Sequence, residues 1–271
     1  IRIGQGGLMR RATGTPTGGV YFDHNLDVRV EDGGCIEVRT PQNLYLGNNA
    51  AGDVVLASGG GMKVHRFLAQ NNNTAAAIAF DGGYAQFTLN GGISTVVNPA
   101  TTCLRADAGG GELITAAGVT HTLAIPLRGT GRFTKTGAGT LVFTNDLNVA
   151  MVDNLPVYSE LASSTVKVAN GGGFEVAEGT VKCVAGTTDA ASRFSGTGTL
   201  AGTFGTLTLD VAADATDGLT FADLTATQVV ADFGRERDDP VPSGGSAVVA
   251  KIGAVASFTG VAWWAKNLGA D

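Results

Sequence analysis

The chain has 271 residues, 44% of them hydrophobic and only 15% charged, with 41 glycines and a formal net charge of −6. A charged fraction below the usual quarter, combined with ample apolar content, excludes a disordered chain, and glycine without a Gly-X-Y period excludes collagen. The 18 Lys and Arg residues are scattered, with Arg10-Arg11 the nearest thing to a cluster, so the basic surface that a nucleic-acid partner requires is not expected.

What this composition suits is a fold with many tight turns. Thr, Ala, Val and Gly dominate while Lys, Glu and Leu are sparse, which favours strands over helices. In chain order, glycine clusters are followed at once by alternating runs: Gly33-Gly34 before Cys-Ile-Glu-Val-Arg, Gly59-Gly60-Gly61 before Met-Lys-Val-His-Arg-Phe, Gly82-Gly83 before Tyr-Ala-Gln-Phe-Thr-Leu. Gly109-Gly110-Gly111, Gly129-Thr-Gly131, Gly171-Gly172-Gly173 and Gly196-Thr-Gly198 continue the series. The last glycines of the clusters are 27, 22, 28, 20, 42 and 25 residues apart, the 42 reading as two turns with one marker missing. A period in the low-to-mid twenties is that of a β-solenoid coil.

Each coil is then expected to supply two or three short strands whose apolar residues alternate inward, as in Ile36/Val38, Met62/Val64, Leu141/Phe143 and Leu207/Leu209. Glu37, Lys63, Thr140 and Thr208 face out by the same parity, and glycine serves the sharp corners. About ten coils at ~4.8 Å each would make a rod of ~50 Å. The predicted fold is therefore an all-β parallel β-helix. Residues 1–30 are read as an N-terminal cap, 31–214 as coils, and 215–271 as a C-terminal cap or small appended β-rich segment with a loop over 238–245. The alternative is an antiparallel β-sandwich. Against it, the Asp-Gly and Asn-Gly pairs (Asp32-Gly33, Asp81-Gly82, Asn90-Gly91, Asn170-Gly171) mostly open glycine clusters and are not spaced to join consecutive strands.

The stretch 129–145 reads Gly-Thr-Gly-Arg-Phe-Thr-Lys-Thr-Gly-Ala-Gly-Thr-Leu-Val-Phe-Thr-Asn. It resembles the autotransporter-associated β-strand repeat, with Gly129, Gly131, Phe133, Lys135, Gly137, Gly139, Leu141 and Phe143 on the marked positions and Asn145 slightly early. The family's short turn after the Asn is replaced here by a non-glycine excursion over 146–165, and a degenerate copy at 196–209 lacks the lysine. The resemblance implies a right-handed parallel β-helix from a bacterial passenger region. Such a module is expected to be secreted or surface-displayed and non-enzymatic, acting as adhesin or stalk, with a glycan or a host or neighbouring cell surface as partner.

Chemistry-bearing residues are few. The enzyme alternative, a carbohydrate-active β-helix, needs paired carboxylates or carboxylate-bound calcium. Its candidates are Asp107 and Glu112 beside Arg105, and Glu236, Asp238 and Asp239 beside Arg235 and Arg237. The first set falls at a coil corner and the second in a solvated charge run. His24 sits in a loop-like stretch, His65 alternates outward beside Met62 and Val64, and His121 shares inward parity with Leu123 and Ile125. Cys35, Cys103 and Cys183 lack metal-ligand spacing and read as small buried hydrophobes. Trp263 and Trp264 are read as cap residues, against a glycan-binding alternative. No nucleophile elbow, phosphate loop or calcium nonapeptide occurs, so no catalytic, cofactor or metal residue is assigned. The apolar stretch Ile252 to Ala265 is 14 residues long, short of the ~20 a membrane helix needs. A chain opening on Ile1 without a leader-like run is expected to be a mature or excised segment.

Overall fold

The computed structural model describes residues 1–10, 20–22, 27–39, 43–46, 53–69, 76–96, 102–143, 145–152, 155–165, 173–184, 193–210, 219–232, 246–250 and 260–261. Among the described residues all regular structure is strand, and the strands stack as a parallel β-solenoid. Each of the first six coils carries three strands, one on each of three faces. The first two coils are β1 (Arg2–Ile3), β2 (Leu8–Arg10), β3 (Val20–Phe22) and β4 (Val28–Val30), β5 (Cys35–Glu37), β6 (Leu44–Leu46). Two more are β7 (Val54–Ala57), β8 (Gly61–Val64), β9 (Phe67–Ala69) and β10 (Ala76–Asp81), β11 (Gly83–Phe87), β12 (Gly92–Val96). Then come β13 (Thr102–Ala106), β14 (Gly111–Thr115), β15 (Thr120–Ala124) and β16 (Leu127–Gly129), β17 (Phe133–Thr136), β18 (Thr140–Phe143).

The first face is a six-stranded parallel ladder, β1-β4-β7-β10-β13-β16. Six stacked strands on this face are separated by five complete turns. The second and third faces run on through β21 (Phe174–Val176), β22 (Thr180–Cys183), β23 (Arg193–Gly196) and the long β24 (Thr199–Asp210). Residues 1–30 supply the terminal rung of all three ladders, through Arg2↔Arg29, Leu8↔Cys35 and Val20↔Leu44. At the other end β25 (Thr220–Asp232) pairs in parallel with β24. Its other partners, β26 (Ser246–Ala250) and β27 (Gly260–Val261), are antiparallel.

The 42-residue glycine interval is not two turns. Phe133 of β17 pairs directly with Phe174 of β21, one coil step apart. Between them the chain leaves the ladder as an antiparallel hairpin, β19 (Asn145–Val152) with β20 (Leu155–Thr165), and β19 runs beside β12 and β15. No glycine marker occurs there because no corner is being turned.

Links from the first to the second face are one to four residues long, and glycine makes them possible. Gly59 adopts φ +73°, and a Cβ on Gly60 would fall inside the carbonyl of Val30 one coil earlier. Stacking at strand spacing leaves no room for a side chain at that point. Inside, Ile36, Val38, Met62, Val64, Leu141, Phe143, Leu207 and Leu209 are all buried, as alternation predicts. All ten phenylalanines whose side chains are described are buried. Six of them form a chain of ring contacts, Phe80–Phe133 at 5.4 Å, Phe133–Phe174 at 6.5 Å, Phe143–Phe174 at 5.5 Å, Phe174–Phe194 at 5.7 Å and Phe194–Phe204 at 5.8 Å. The edge-on pairs among them, Phe80–Phe133, Phe143–Phe174 and Phe194–Phe204, add about 0.5–1.5 kcal/mol each beyond their burial. The three cysteines are free, with Cys103 and Cys183 buried and Cys35 half-buried.

Candidate functional site

At the corner between the first and second faces, three successive coils leave an open groove of about 330 Å³. Its floor is the side-chain-free backbone of glycines 82, 83, 109, 110 and 111, and its walls are Glu112, Arg132 and Thr134. The glycines are there for stacking. A Cβ on Gly111 would meet the Phe80 Cβ at 2.5 Å, and one on Gly109 would meet the Asp81 backbone carbon at 2.6 Å. The groove follows from that requirement, and its chemistry comes from the walls.

Stacking brings the wall residues together. Glu112 of β14 and Thr134 of β17 are register partners on adjacent rungs. Glu112 accepts a hydrogen bond from the Thr136 hydroxyl at 2.6 Å. Arg132 lies 3.8 Å from the Glu175 carboxylate, to which Thr134 also donates at 3.4 Å. The floor amides are already used: Gly110 N–H donates to Asp107 O and Gly111 N–H to Arg132 O. Tyr84, the register partner of Glu112 on the previous rung, turns its ring over Gly61 and away from the groove.

The acids singled out in the sequence are separated by this arrangement. Arg105 donates to Asp107 at 2.8 Å and to Asp53 at 3.1 Å, while Asp53 also accepts the Ala77 amide. The two carboxylates hold the guanidinium well above its ordinary range, with Asp107 the larger influence. Asp107 is thus committed to a brace on the first face and Glu112 to the second. The set Glu236, Asp238, Asp239, Arg235 and Arg237 lies outside the described residues, as do His24, Trp263 and Trp264.

Two buried polar sites stand deeper. Lys135 has no exposed surface and sits in an inward column between Leu113 and Val176. Its ammonium donates to the carbonyls of Thr136 at 3.0 Å, Glu178 at 2.9 Å and Gly137, closing two stacked turns onto one another. Burial pulls its pKa down to about 8, with Glu178 acting in the opposite sense. The lysine of the repeat-like stretch is therefore a turn clamp, and Gly179 leaves it room, since a Cβ there would stand 2.5 Å from Nζ.

His121 is also fully buried, as its parity predicts. It stacks on Phe87 with ring centroids 3.9 Å apart and shares a 2.8 Å hydrogen bond between Nε2 and Ser94 Oγ, while Ser94 Oγ accepts the Phe67 amide. His65 is buried as well, a correction to its expected outward position: the chain turns at residue 65, so the alternation running through Met62 and Val64 does not carry past it. Burial lowers His121 to about 3 and His65 to about 4. The Nδ1 atoms of both rings and the Thr115 hydroxyl have no partner.

Sequence reading did not find Arg132 and Thr134. The only available signal was the coil step of about 22 residues, which would have set 132–134 over 110–112. Among the described residues no group of three or more His, Cys, Asp or Glu side chains could hold a metal ion, and no helix is long and apolar enough to cross a membrane. No family model, no curated protein and no solved structure matches this chain. Fold and ladder together define its class as a parallel β-helix built from repeats.

Proposed function

We propose that this chain is a non-enzymatic, extracellular or outer-surface β-helix module of the bacterial autotransporter-passenger kind, serving as a stalk or adhesive scaffold. The observation that carries this reading is the stacked inward column of buried side chains, which supports a rod whose outer faces are free to vary. The repeat-like stretch 129–145 supports it, because its Phe133, Leu141 and Phe143 are the buried residues of one coil and its Lys135 the clamp to the next. Of the acids that the enzyme reading would need, the described pair is engaged separately, Asp107 by Arg105 and Glu112 by Thr136. The natural partner of such a module is a glycan or cell surface.

Antibody labelling of intact source cells, before and after external protease, tests the placement. Labelling of unpermeabilised cells that protease removes is the expected result, and labelling only after permeabilisation would overturn it. A parallel screen for polysaccharide cleavage addresses the enzyme alternative: reproducible bond cleavage lost in Glu112→Ala would replace this reading.

A further inference from the structure

We infer that the corner groove is a binding subsite for a neutral, polyhydroxylated ligand, a glycan residue without a charged group, held by hydrogen bonds and not by ring stacking. The inference rests on the surface-module reading and gives it a point of contact. Four observations select this ligand class. First, the groove is large enough to matter: about 330 Å³ lies at the lower end of small-molecule sites, and it crosses three rungs, roughly 10 Å. Second, its walls carry one carboxylate, one guanidinium and one hydroxyl, on Glu112, Arg132 and Thr134. An anionic ligand would face Glu112 with Glu175 close behind Arg132, and a cationic one would face Arg132. A polyol can donate to the carboxylate and accept from the guanidinium at once, at no cost in net charge.

Third, the floor is not an anion nest. The Gly110 and Gly111 amides donate to carbonyls within the fold, which removes the backbone donors that a phosphate or sulfate would need. Fourth, among the described residues no aromatic ring lines the groove, Tyr84 being turned over Gly61, so orientation comes from polar contacts. Glu112 uses Oε1 for Thr136, and a carboxylate has a second oxygen to offer a sugar hydroxyl.

The test is calorimetric titration of the full chain with neutral gluco- and manno-oligosaccharides, and with oligogalacturonate as the acidic counterpart. Saturable binding of a neutral oligosaccharide is expected, weakened at least tenfold in Glu112→Ala and in Arg132→Ala, with oligogalacturonate bound at least tenfold more weakly by the native chain. Thr134→Phe, which fills the groove from the outward side of β17, should abolish binding and decides the matter if either other variant fails to fold. Absence of saturable binding to every neutral oligosaccharide, preference for oligogalacturonate, or binding unchanged in Thr134→Phe would overturn the inference. Solution scattering on the same samples separates the two levels. A rod that binds no neutral sugar removes the subsite alone, whereas a compact particle removes the surface-rod reading beneath it.

Discussion

Lys135 and His121 occupy positions that neighbouring rungs give to apolar side chains, Leu113 and Val176 in one column and Leu141 in the other. Each lies near a corner between the second and third faces, yet the two regions accommodate polarity differently. Around Lys135 two stacked turns point three carbonyls at one ammonium, so a charge can stay buried with its donors satisfied. Around His121 the only hydrogen-bond partner among the described residues is Ser94, and Phe87 covers the ring, so the imidazole is kept neutral and its Nδ1 unsatisfied. A buried polar group in this solenoid is tolerated to the extent that turn carbonyls converge on it, and the difference should appear in acid, where the histidine region responds and Lys135 does not.

The largest expected effect is acid destabilisation originating at the histidine region. His121 and His65 titrate near 3 and 4 when folded and near 6.5 when unfolded. Below pH 6.5 the unfolded chain therefore binds more protons, and stability falls as pH falls toward 4. Each histidine accounts for up to about 1.4 kcal/mol per pH unit in that window. Lys135 contributes nothing there, being protonated in both states. Urea midpoints measured from pH 7 to pH 4 check this, and a flat profile would break the comparison.

Lys135→Met comes next. It keeps the volume and removes the charge, leaving three turn carbonyls without their donor, at a cost of about 3 kcal/mol at neutral pH by chemical denaturation. His121→Leu should be milder, within about 1.5 kcal/mol at pH 7, since leucine already fills that column one rung on at Leu141. Its sharper signature is kinship with the first prediction: one proton's share of the acid slope disappears. Smallest is Glu178→Gln, which retains the acceptor for the Gly137 amide and removes the charge supporting Lys135. Stability should change by less than about 0.5 kcal/mol at this exposed carboxylate, while the Lys135 pKa, followed by nuclear magnetic resonance, moves further down.

Much of the fold was legible because its two determinants are local. Glycine pairs mark corners that admit no Cβ, and alternation through Ile36/Val38 or Leu141/Phe143 marks the inward side. Where a feature depends on what happens beyond a corner, sequence reading lost it. Period-two parity puts His65 outward, but the chain turns at that residue and the ring is buried. The interval before Gly173 has the length of two coils, since an inserted hairpin and a missing corner leave the same gap in glycine spacing. The groove was not legible, since Glu112 and Arg132 are 20 residues apart and meet only after stacking fixes the register. Lys135 could be recognised as part of a motif, but its three acceptors belong to two different turns and become visible only with the coils in place.

The account depends on successive strands stacking in parallel at a constant step. The outward column Glu37, Lys63, Gln86, Ile114 and Thr136 runs through five consecutive rungs of the second face. Spin labels placed pairwise at 37 and 86, 37 and 114, and 37 and 136 should report separations rising in equal increments of ~4.8 Å, to roughly 19 Å between the outermost pair. Distances that fail to increase in chain order, as antiparallel neighbours would give, would contradict the solenoid.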